Sequence, residues 1–133
     1  MTGIMAVLGF ALWTLLLVVI STNWRVLEML RGKAANSWIR GQDIPKPDVI
    51  VRIEHAHLNC LENLPVFAVL VFAAYFQSKS AVVDGLGFYV LYARVAQSLT
   101  HLVGTSHVLV LVRGTFYTMQ LAMFFYLFWG LMA

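Results

Sequence analysis

Arg52, His55, Asn59, Glu62 and Asn63 recur at intervals that, at about 100° per residue, gather them within an arc of about 100° on one helix. Arg94, Gln97, Ser98 and His101 stand at i, i+3, i+4 and i+7 and make a second arc of the same width. Arg113 follows after a short turn. Three guanidiniums, two imidazoles and one carboxylate amount to fixed positive charge in excess of acid. That surplus suits an anionic ligand, because an acceptor-rich anion can take charge-assisted hydrogen bonds from several arginines at once. The bland alternative is that Arg–Glu and amide contacts hold helices together without binding anything. One arc leaves the two readings level. Two arcs and a third arginine with charge left over favour a ligand.

The elements that carry these residues are apolar. The chain has 133 residues, of which 61% are hydrophobic and 11% charged. A water-soluble globule of this size needs more polar surface, and a disordered chain needs far less hydrophobicity. From Gly3 to Trp24 no residue is charged, and as a helix this stretch is about 33 Å long, enough to cross a hydrocarbon core of about 30 Å. Met1-Thr2-Gly3 lacks the basic start of a cleaved signal peptide, so this segment reads as a membrane span. Residues 32–47 hold two glycines and two prolines and form the one substantial loop. The pattern predicts an all-α, membrane-embedded four-helix bundle in a single domain, 1–133, with helices over about 3–31, 48–76, 81–103 and 108–132.

Arg25, Arg31, Lys33, Arg40 and Lys46 surround the first connection, whereas the second carries only Lys79. The positive-inside rule therefore places the first connection in the cytoplasm and both termini outside, with Trp24 and Trp129 near opposite interfaces. In that frame both arcs and Arg113 share the cytoplasmic half of the membrane. An ionisable group in the bilayer core costs about 2.5–3.5 kcal/mol on insertion scales, so such groups pair or line a cavity. The expected result is a cationic pocket open to the cytoplasm. Glu54 and His57 lie off the arc and suit packing or a subunit contact. Cys60 reads as a small buried hydrophobe, His107 as a solvated turn residue and Asp84 as interfacial. Arginines beside His55 and His101 would repel a cation, so no metal is expected there. A single cysteine leaves no cysteine-based zinc site or internal disulfide, and the basic residues form no nucleic-acid footprint.

The stretch from Arg52 to Phe67, RIEHAHLNCLENLPVF, resembles the signature of the MAPEG family, the membrane-associated proteins in eicosanoid and glutathione metabolism. Arg94 to His101 (RVAQSLTH) and Arg113-Gly114-Thr115-Phe116 resemble the family's later segments, and bacterial members look most similar. The resemblance implies a homotrimer with glutathione held between neighbouring subunits on the cytoplasmic side, and a bacterial inner-membrane location. It further implies a glutathione transferase or peroxidase that joins the glutathione thiolate to lipophilic electrophiles or reduces lipid hydroperoxides. By the same resemblance Arg52, Asn59, Glu62 and Arg94 match ligand-binding positions, with His55 and Gln97 beside them, and Arg113 matches the arginine that activates the thiol. His55 stands where eukaryotic enzymes have a second arginine, Gln97 where histidine is frequent, and His101 where a tyrosine contacts sulfur. The implied catalytic residues are thus Arg113 and His101, with glutathione as co-substrate and no metal. Those departures also keep open a non-catalytic membrane protein that binds glutathione or lipid. A small transporter is less suited, since four short spans leave little room for alternating access.

Overall fold

The structure, a computed structural model, describes residues 1–39 and 44–133. Four helices follow one another: α1 (Gly3–Leu30), α2 (Asp48–Phe76), α3 (Ser80–Val103) and α4 (His107–Met132), with a single 3₁₀ turn at Ala35–Trp38 in the first connection. Arg40, one of the basic residues assigned to that connection, lies outside the described residues.

Local chemistry sets the helix ends. Thr2 Oγ1 accepts from the Met5 amide at 3.2 Å, and Ser106 Oγ accepts from the Leu109 amide at 3.4 Å, each satisfying a donor that the first turn leaves free. Pro47 precedes α2 and spends no donor there. Gly32, at φ 105°, turns the chain after α1 in a region that side chains rarely adopt. The α1–α3 contact is also narrow. A Cβ on Gly87 would come within 3.0 Å of the Ala6 Cβ and 3.3 Å of the Gly3 Cα, so any larger residue would push the two helices apart.

The core is aromatic and aliphatic. Phe67 on α2 lies with its ring centroid 6.0 Å from Phe10 on α1 and 5.9 Å from Phe124 on α4, which ties three helices at one level. Outward, α1 presents Leu8, Leu12, Leu15 and Ile20, and α4 presents Leu111, Phe125, Phe128 and Trp129, all exposed. In water such faces would aggregate; in a bilayer they are the solvated surface. Helices α1, α2 and α4 are each long and apolar enough to cross a membrane. Helix α3 has the length, about 36 Å for its 24 residues, but its composition is diluted by polar groups. Those groups point inward: Arg94, Gln97, Ser98 and His101 are all buried.

Near the first connection the charges are paired. Glu54 accepts from Arg25 Nη2 at 2.7 Å and from Lys46 Nζ at 2.6 Å, tying the end of α1 and the segment before α2 to the side of α2. Glu28 accepts from Arg31 at 2.9 Å and has Lys33 at 3.7 Å. Trp24 and Trp38 meet edge to face at 5.2 Å, and Lys33 Nζ lies 5.2 Å from the Trp38 ring. At the other end, Asp84 accepts from Tyr75 Oη at 3.0 Å and from the Gly3 amide, joining three helices.

Candidate functional site

Helices α2, α3 and α4 enclose an open cavity of about 660 Å³ lined by His55, Asn59, Glu62, Gln97, His101, Thr105, Val110, Arg113, Gly114 and Tyr117. Six of the eight residues proposed as the site from sequence thus stand around one space. They come from the third to fifth turns of α2, the last two of α3 and the first two of α4, so they lie in the half of the bundle that carries the first connection.

Arg113 Nη1 lies 3.1 Å from His101 Nδ1. A guanidinium can only donate, so Nδ1 must accept, and the imidazole is held neutral with its proton on Nε2. His101 is itself buried, and its ring centroid is 6.0 Å from that of His55 across the α2–α3 seam. A cation and an imidazole are therefore fixed side by side on one wall. On α2, Glu62 is exposed and makes no ion pair among the described residues, which leaves both carboxylate oxygens free. Behind the α3 wall Gln120 Nε2 donates to Gln97 Oε1 at 2.9 Å, holding the Gln97 side chain between α3 and α4. The cavity offers a guanidinium, a neutral imidazole donor, two amides and one carboxylate. That set can grip a zwitterionic ligand, its anionic group at Arg113 and its cationic group at Glu62.

Two of the proposed arginines do not line this space. Arg52 donates through Nε to the Leu102 carbonyl at 3.1 Å, so it caps a free acceptor in the last turn of α3. Arg94 is 0% exposed, with none of its three guanidinium nitrogens hydrogen-bonded, and its Cζ is 5.3 Å from the Phe10 ring centroid. It lines no part of the cavity, so the Arg94 charge acts from behind the wall and not from its surface.

Asn63, placed on the first arc from sequence, turns away into the space between α2 and α4. His57 faces the other way as well, with Nδ1 3.0 Å from the Thr14 carbonyl of α1. Cys60 is buried, with Sγ 3.7 Å from Ser98 Oγ. His107 is exposed as the first residue of α4. Sequence reasoning missed Tyr117 and Thr105. Tyr117 had a signal: it stands four residues after Arg113, on the same face of α4. Thr105 had none, since it belongs to the turn between α3 and α4.

The chain belongs to the MAPEG family, whose model matches residues 3–133. The family consists of membrane helical bundles, most of them enzymes that use glutathione, and the protein is a multi-pass integral membrane protein. No curated protein matches the chain.

Proposed function

From a MAPEG protein with this cavity, we propose a membrane glutathione transferase that conjugates the tripeptide to lipophilic electrophiles, with hydroperoxide reduction as a second outlet. The observation that carries the reading is the Arg113–His101 pair at 3.1 Å on the wall of an open cavity whose opposite side holds the unpaired Glu62. Glutathione has two carboxylates, one ammonium and one thiol. Glu62 suits the ammonium, Asn59 and Gln97 suit backbone amides and carboxylate oxygens, and Arg113 with His101 Nε2–H suits the sulfur. Arg52 and Arg94 supply positive potential around the site from outside its lining.

The chemistry asked of the protein is modest. A cation and a donor beside the thiol favour the thiolate, so the proton leaves to solvent at neutral pH. The thiolate attacks the electrophilic carbon, a carbon–sulfur bond forms, and the leaving group departs with the bonding pair. With a hydroperoxide, two glutathiones and one peroxide yield the disulfide, the alcohol and water. Holding both reactants in register accounts for much of the acceleration.

The site would face the cytoplasm, with both termini outside, because the basic first connection lies at the same end of the bundle. A trimer follows from the same reading. Glu62 stands about 21 Å along α2 from its start, well into the span, and it is exposed on a single copy. A carboxylate facing lipid at that depth is costly, and a neighbouring subunit over the cavity mouth removes that cost.

Protein purified in detergent, given glutathione and chlorodinitrobenzene, should form conjugate with saturation in both substrates. Tight glutathione binding with no turnover of that electrophile or of cumene hydroperoxide would instead establish a non-catalytic glutathione-binding membrane protein.

A further inference from the structure

Gln120 stands about 20 Å along α4 from its start at His107, near the middle of the span, and is 0% exposed. An amide at that depth is costly unless its hydrogen bonds are met. Its Nε2 lies 2.9 Å from Gln97 Oε1 and 3.3 Å from the Phe116 carbonyl oxygen, whereas its Oε1 is buried without a hydrogen-bond partner. Those contacts fix the orientation of both amides. The Phe116 carbonyl can only accept, so the Gln120 atom beside it is the NH2 nitrogen, whose two hydrogens serve Phe116 and Gln97. The Gln97 atom that meets this donor must then be oxygen. Gln97 is 4% exposed and lines the open cavity, and with its oxygen spent on Gln120 its NH2 is left for that space. A leucine at 120 would pack here without an orphaned carbonyl, so the stability of the bundle does not account for this residue. The order it imposes on Gln97 does.

We propose that Gln120 is a positioning residue that locks Gln97 with its carbonyl turned away from the cavity and its NH2 turned in, so that this part of the wall takes a ligand oxygen, a carboxylate or carbonyl, and turns away an N–H or ammonium. Left to itself, a glutamine amide rotates by half a turn at little cost and offers either a donor or an acceptor. Gln120 removes that choice. His101 Nε2–H and the Arg113 guanidinium are donors on the same side, so α3 and α4 present a run of donors across from the Glu62 carboxylate of α2. A zwitterion fits such a cleft in one sense, its oxygens toward α3 and α4 and its ammonium toward α2. That the oxygen belongs to glutathione rests on the glutathione reading; the orientation of Gln97 does not.

The orientation can be read on full-length protein in detergent with no ligand present. The chain has four glutamines, Gln42, Gln77, Gln97 and Gln120, and glutamine carrying carbon-13 at its side-chain carbonyl sets their four infrared bands apart from the backbone. Gln120→Met should remove a high-frequency, unbonded carbonyl band and shift the Gln97 band upward as its donor is lost. Loss of a low-frequency, hydrogen-bonded band instead would mean that Gln97 donates to Gln120, and overturns the proposal. Gln97→Leu gives the same answer where Gln120→Met does not fold: the unbonded band should be present in the parent and stay, and its first appearance in the variant overturns the proposal. Equilibrium dialysis of glutathione reads the consequence. Gln97→Leu and Gln120→Met should each weaken binding by roughly 3- to 10-fold, the worth of one net hydrogen bond, and the double variant by no more than the larger single loss, because Gln120 acts only through Gln97. Turnover at saturating glutathione should hold within about twofold. Losses that add in the double variant would show a packing role and overturn the proposal, as would a Gln120→Met variant that binds as the parent does. A parent that binds no glutathione yet shows the unbonded Gln120 carbonyl would refute the glutathione reading and support the fixed amide.

Discussion

Replacing Arg113 with leucine tests the proposed chemistry at its centre, and the structure sets the size of the effect. The guanidinium touches His101 at 3.1 Å on the cavity wall, so a thiol bound between them would lie within about 4 Å of a full positive charge. At that distance a thiolate gains about 1 kcal/mol in water and about 4 kcal/mol at an effective dielectric of 20. One pKa unit is 1.36 kcal/mol, and the cavity is open, so the lower part of that range applies: about one to two units. Starting from a thiol near 8.5, the thiolate fraction at pH 7 rises from about 3% to roughly 25–75%. A thiolate of lower pKa is also a weaker nucleophile, with a Brønsted slope of about 0.4–0.5, which offsets much of the gain. The net loss in Arg113→Leu at pH 7 is then only about threefold, yet the pH dependence changes character. The variant's rate should keep rising to higher pH and cross the parent's near pH 8, where the parent's thiol is largely ionised and the variant's, only about a quarter ionised, is the stronger nucleophile. Conjugation rates from pH 6 to 9.5, with glutathione affinity from equilibrium dialysis and thiolate absorbance at each pH, separate ionisation from binding. Parallel profiles with an unchanged thiol pKa would refute the role of Arg113 in activating sulfur and leave His101 as the group to replace next.

Glu62→Gln should weaken glutathione binding by at least 10-fold, because it removes the one acid on the cavity wall and leaves a ligand ammonium without a carboxylate there, whereas His57→Gln, on the α1 side, should change it less than about threefold. Equal losses in two folded variants would sink the ligand pose. For topology, a cysteine introduced at Ser37 should stay unlabelled by an impermeant thiol reagent in intact cells and react once the membrane is opened; labelling in intact cells would invert the orientation. Native mass measurement in mild detergent should give three copies, and a monomer that still binds glutathione would show that the cavity mouth needs no neighbour.

The all-α architecture was legible because its signals are strong: long apolar stretches, two tight turns and one loop rich in glycine and proline admit few arrangements of 133 residues. Angular position was legible too. His55, Asn59 and Glu62 share an arc, as do Gln97 and His101, and the structure sets them around one space with Arg113. The partner that each residue meets could not be read the same way. A helical wheel fixes azimuth and says nothing of which neighbour stands opposite. Asn63, one residue and about 100° from Glu62, falls at the edge of the arc and faces α4 instead of the cavity. Arg52 is long enough to reach across to the Leu102 carbonyl, and Arg94 sits on the α3 face that packs against α1, over Phe10.

Arg94 shows why the bundle and the site are hard to separate. A guanidinium with no hydrogen-bond partner in a membrane core is among the costliest groups a small protein can bury, and the Phe10 ring face offsets only a part of that, of order 1–2 kcal/mol. Negative potential nearby would offset a further part, and Glu62 is the acid on the adjoining cavity wall. Glu62 is also the acid left open toward the cavity. If it turned fully to an ammonium ligand, Arg94 would lose its counter-charge unless the ligand brought anionic groups of its own. A ligand with two carboxylates and one ammonium restores both balances at once, which a simple amine or a neutral lipid does not. In the proposed reading, a partnerless buried arginine and an exposed, unpaired glutamate would together suit a zwitterion of net negative charge, on grounds separate from the motif that first pointed to glutathione.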